Sequence, residues 1–143
     1  MEAEIRRPIH TAVGTIFGRD AIFLDLMTQD GPVYSFSGEL NWNLCSAGES
    51  ADKYIPFQIT FHNVRALHCW ELDVYPRQAE LVVASFHVVE NSAWVRSLCE
   101  TCERDEALHT LSHDVFGTYD HIYELAAQQF ELTLGDVRDK VAD

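Results

Sequence analysis

Residues 98 to 113, LCETCERDEALHTLSH, hold two cysteines in a C-x-x-C pair and two histidines in an H-x-x-x-H pair. A structural zinc site would need all four to converge at about 2.0 to 2.3 Å from one ion. The local pattern opposes that. Trp94, Val95, Leu98, Cys99 and Cys102 fall on one stripe of a helix, so both thiols are expected to face the core. If residues 108 to 116 are extended, His109 and His113 stand about 13 Å apart at roughly 3.3 Å per residue, too far for one ion. A thioredoxin-type redox pair sits at a helix N-terminus, where the dipole lowers a thiol pKa. This pair sits near the C-terminal end of its helix.

A second set of histidines offers metal chemistry by register. HCWELDVYPRQAELVVASFH reads as a hairpin about Arg77 and Gln78. That register places Trp70 opposite Ser85, Cys69 opposite Phe86, Leu67 opposite Val88 and Arg65 opposite Glu90. It also sets His68 against His87, with Cβ atoms about 4.5 to 5.5 Å apart. Zinc is an option there, held by His68 and His87 with His62 or a carboxylate completing the set. With or without metal, both imidazoles should resist protonation, since close cations repel and burial disfavours charge.

A third group, Asp114, Asp120, His121 and Glu124, surrounds what reads as a last helix, with His121 and Glu124 at a spacing used by metal-binding helices. Asp114, Asp120 and Glu124 are therefore candidate binding residues, as is Trp42, which ends a strand beside a polar loop. The chain has no dinucleotide fingerprint, no Walker loop and no G-x-S-x-G elbow. No spacing of serine, histidine and acid singles out a triad.

The elements that must hold these residues read as follows. Gly18-Arg19-Asp20 separates two apolar stretches, and Ala21 to Met27 reads as a strand buried on both faces. Asp30-Gly31 is a turn signal. Tyr34, Phe36, Leu40 and Trp42 share one face of the next strand, giving an antiparallel meander over residues 9 to 42. Residues 43 to 55 form the longest loop. Phe57, Ile59 and Phe61 alternate up to a break near His62-Asn63, a long strand runs from Val64 to Tyr75, and another covers residues 80 to 90. Asn91 or Ser92 caps a helix through Trp94 to Cys102. A strand over 108 to 116, a short helix TYDHIYELAAQQ and a strand FELTL end the domain. The expected fold is α+β: a mostly antiparallel sheet of about six to eight strands, with two helices in the C-terminal half.

The chain of 143 residues suits one globular domain, 1–143, with flexible ends at 1–7 and 136–143. No apolar run approaches the roughly 18 residues of a membrane span. The N-terminus shows no signal peptide, so four cysteines read as reduced thiols of a cytoplasmic protein. The net charge is −13, from 23 acidic and 10 basic residues. That balance disfavours nucleic acid and anionic membranes, and would steer a basic protein inward.

ENSAWVRSL followed by HDVFGTYDHIYELAAQQFEL, with Asn91, Ser92, Trp94, Tyr119, Asp120 and Glu124, resembles small uncharacterised bacterial proteins, some encoded beside polymorphic toxins as immunity proteins. The resemblance covers roughly the second half of the chain and implies no catalytic residues. Together with the charge it yields the expectation of a non-enzymatic interaction domain, inhibitory toward a basic partner. The alternative is a metal-binding or hydrolytic enzyme using sheet histidines and acids.

Overall fold

A computed structural model describes residues 3–48, 53–77 and 84–139. Among these residues two five-stranded antiparallel sheets form a sandwich. The first sheet is built from β2 (Ile22–Asp30), β3 (Val33–Asn41), β4 (Lys53–His62), β9 (Gln129–Leu134) and β10 (Arg138–Asp139). Strands β2, β3 and β4 form a meander, and β9 and β10 both pair with the far side of β4. The second sheet runs in the order β1 (Ile5–Pro8), β6 (Phe86–Glu90), β7 (Ser112–Gly117), β8 (His121–Ala127), β5 (Ala66–Glu71). One α-helix, α1 (Ala93–Thr101), is present among the described residues, and none is long and apolar enough to cross a membrane.

The alternation in β4 works as its sequence predicts. Ile55, Phe57, Ile59 and Phe61 are buried on one face, and Asn63 takes φ 54° at the break. They meet Phe36, Leu40 and Ile22 of the same sheet and Phe86, Phe116, Tyr123 and Leu125 of the other. Rings set at angles rather than stacked flat fill the centre: Phe36 lies 5.8 Å from Phe61, 5.4 Å from Phe116 and 4.9 Å from Tyr123.

Three expectations are corrected. TYDHIYELAAQQ is no second helix; residues 121 to 127 form β8, inside the second sheet between β7 and β5. Ile122 to Ala127 are all buried. A strand covered on both faces loses its alternation, and an apolar run then mimics a helix. Strand β2 is not buried on both faces: Leu26 is 57% exposed and Met27 43%. A bulge between Leu24 and Leu26 explains its apolar run, because the extra residue switches the inward parity from Ile22 and Leu24 to Met27. The hairpin joining residues 65–75 to 85–90 does not exist. Strand β5 pairs with β8, and β6 pairs with β1 and β7, so none of the register contacts from Arg65–Glu90 to Trp70–Ser85 forms. Most of the predicted turn, and residues 80 to 83 of the expected return strand, lie outside the described residues.

The predicted strand over 108 to 116 is split. A 3-10 turn covers Glu106–Thr110, capped by Asp105, and extension begins only at Ser112. Residues 5 to 8 form β1 and pair with β6.

Candidate functional site

The outer face of the second sheet carries a buried polar cluster beneath α1. Strand alternation points Arg6, His87, His113, Glu124, His68 and Trp70 to this face, where Val89, Val115, Ile122 and Tyr75 form a small second core. Helix α1 starts where the sequence proposes, with the Ser92 side chain accepting from the Val95 N–H at 3.2 Å. Glu4 accepts from the Ala93 N–H at 2.9 Å, so two free donors of the first turn are satisfied. Asn91, at φ 57°, makes the sharp passage from β6 into the helix. Trp94 then lies over the sheet, stacked 4.6 Å from His68 and edge-on 4.9 Å from His113.

Glu124 is the hub. Its side chain is 4% exposed. His113 Nε2 lies 3.1 Å from Oε1, and Trp70 Nε1–H donates to Oε2 at 3.0 Å. Tyr75 donates its hydroxyl at 3.4 Å, and Arg77 stands 3.7 Å away. Burial alone would raise its pKa. The hydrogen bonds from His113 and Trp70, with the nearby Arg77 charge, outweigh burial and hold it at about 2. The other ring nitrogen of His113, Nδ1, lies 2.8 Å from Ser92 Oγ. One set of protons satisfies every member: Val95 N–H to Ser92 Oγ, Ser92 O–H to Nδ1, and Nε2–H to the carboxylate. Serine, histidine and glutamate thus form a continuous relay. Beside it opens a cleft of about 450 Å³, lined by Val88, Val89, Val95, Arg96, Leu111 and both Ser92 and His113.

The proposed metal set is corrected by this geometry. His87, Val115, Glu124 and His68 are register partners in one row across β6, β7, β8 and β5. Three strand spacings put His68 about 14 Å from His87. His62 belongs to the other sheet, 3.6 Å from Glu131. No three of His, Cys, Asp and Glu gather as a metal site among the described residues. His87 does resist protonation, with a pKa of about 4, but burial is the largest cause, with the charges of Arg6 and His113 adding to it. Arg6 contacts its Nε2 at 2.9 Å.

The binding candidates separate too. Asp114 lies on the inner face of β7, buried, and burial pushes its carboxyl up to about 6 despite a bond from Ser112. Glu124 is on the outer face, and Asp120 is exposed in the β7–β8 turn. His121 and Glu124, three apart on a strand, point to opposite faces. Trp42 begins a 3-10 turn after β3 and is half-buried against the main core. The two thiols of C-x-x-C are not buried: Cys99 is half-buried, donating to the Leu108 carbonyl at 3.2 Å, and Cys102 is exposed. The stripe rests on the sheet by its first turn, and its last turn rides clear.

Asp120 has a different setting. It lines a second groove, of about 440 Å³, between β2 and the β7–β8 turn, with Phe23, Asp25, Leu26, Met27, Tyr119 and His121. Phe23 stacks on Tyr119 at 5.5 Å and forms its floor. Among the described residues, β2 ends its sheet and pairs only with β3.

Sequence reasoning found Glu124, His113 and Ser92 singly and missed their meeting. The available signal was alternation. Reading residues 121 to 127 as a strand puts Glu124 opposite Val115, diagonal to His113.

Compared with models of protein families, with curated proteins and with solved structures, the chain matches none.

Proposed function

We propose that this protein is a binding module that takes an extended segment of a basic protein partner along the open edge of β2, and inhibits that partner by occupying it. The observation that carries the reading is the edge itself: a strand paired, among the described residues, on one side, with Leu26 57% and Met27 43% exposed beside a groove holding Asp25 and Asp120. Strand addition supplies main-chain hydrogen bonds, and the apolar pair supplies side-chain pockets. An unprotected apolar edge is a liability in a free protein, which favours an occupant. The net charge of −13 selects a basic one.

The test is a pull-down from the native host with the parent chain and with Asp25→Lys/Asp120→Lys, followed by mass spectrometry. A basic protein held stoichiometrically by the parent, lost from the variant and released by salt supports the reading. Retention of no basic protein, or equal retention by both chains, overturns it.

A further inference from the structure

We propose that Ser92, His113 and Glu124 form a hydrolytic centre, with Ser92 as nucleophile toward a small carboxylic ester held in the adjoining cleft. The geometry is that of an activated serine: Ser92 Oγ 2.8 Å from His113 Nδ1, and His113 Nε2 3.1 Å from Glu124 Oε1. The nitrogen roles are exchanged relative to the usual serine protease, where the serine meets Nε2. The proton relay needs only that one ring nitrogen accept while the other donates, which the His113 tautomer protonated on Nε2 provides. Glu124 accepts from Trp70 and His113, so it fixes the ring orientation and favours the imidazolium once formed. Trp94 packs on the ring from above. Ser92 ends the passage from β6 into α1, so the positive end of the helix dipole lies beside any oxyanion formed there. The cleft's volume of about 450 Å³ suits a small ligand, and Val88, Val89, Val95 and Leu111 give its wall an apolar character. None of its residues lines the β2 groove, so the two sites are independent.

The chemistry balances with water as the only co-reactant. Ser92 Oγ bonds to the acyl carbon while His113 Nδ1 takes the hydroxyl proton. The ester C–O bond breaks, and the leaving alkoxide takes that proton from Nδ1. Water then attacks the acyl-serine, giving a proton to Nδ1. Ser92 leaves and recovers the proton, releasing acid and alcohol.

The test is a fluorophosphonate probe on the native full chain, read by intact mass and by peptide mapping, with p-nitrophenyl butyrate turnover alongside. The expected result is one phosphonyl group per chain, on Ser92, absent from heat-unfolded protein. Ser92→Asn retains a good helix cap without a nucleophile. It should keep the parent's circular dichroism and lose both labelling and turnover. Glu124→Gln should slow turnover at least tenfold and shift its pH profile, an effect that a purely structural role would not produce. A native chain that takes up no probe, or takes it up elsewhere than Ser92, overturns the proposal.

Discussion

Two buried carboxylates of the second sheet carry opposite pH signatures. Asp114 has a folded pKa of about 6, above its ordinary 3.8, so the native state binds its proton more tightly than the unfolded chain does. Stability is therefore lost as pH rises from about 4 to 6, by roughly 2 to 3 kcal/mol in all. Asp114→Asn removes that loss: its stability relative to the parent should rise by this amount between pH 4 and pH 8 in urea melts. Glu124 behaves in reverse. Its folded pKa of about 2 lies below 4.5, so its contribution is complete above pH 4.5 and is lost as pH falls toward 2. Glu124→Gln should cost about 3 kcal/mol at pH 7, because His113 and Trp70 meet different carboxylate oxygens and the amide sets an NH2 donor against one of those two N–H groups. A variant as stable as the parent would show the hub to be idle. The thiols give a third contrast. Buried Cys45, pushed up to about 11 by burial, should label only on unfolding, whereas exposed Cys102 labels at once. Timed alkylation read by peptide mass distinguishes them.

Elements whose burial is one-sided were legible, and elements whose burial is two-sided or interrupted were not. β4 shows a single buried face and α1 a single half-buried one, and their periods predict them. β8 has none to show: ELAA favours a helix by propensity, and its place between β7 and β5 overrides this. In β2 the bulge hides the period, and Gly38 is its marker. A Cβ at Gly38 would collide with the Phe23 carbonyl and the Leu24 backbone, so the bulged strand closes over a residue without a side chain. Gly38→Ala should cost about 2 kcal/mol or more in a denaturant melt, and resonances of Phe23 to Met27 should move most. A change within 0.5 kcal/mol would show that the bulge relaxes freely.

At the scale of the whole molecule, strand pairing was the least legible level. β5 and β6 look like the arms of a hairpin because they follow one another with a turn signal between them. β5 pairs with β8 and β6 with β7, tens of residues later, and β6 also with β1 near the start of the chain, and no local pattern records pairings of that range. The candidate site inherits the difficulty. Ser92, His113 and Glu124 each carry a local signature, but their union depends on β7 lying between β6 and β8. The net charge was legible from composition, and its effect belongs to this scale as well. Association with a basic partner should slow steeply between 20 and 200 mM salt in stopped-flow mixing, as screening shortens the field to about 8 Å. A rate indifferent to salt would exclude long-range steering.

The order of the second sheet also sets a timetable for synthesis. β2, β3 and β4 are sequential neighbours and can pair as soon as they emerge. The sheet that must cover Phe36, Phe57 and Phe61 cannot close until β8 is made, about 65 residues after β4, or roughly 3 to 13 s of translation. Arg6 waits still longer in sequence, 81 residues, for His87. A nascent chain is thus left holding a bare aromatic face for as long as residues 62 to 127 take to be made.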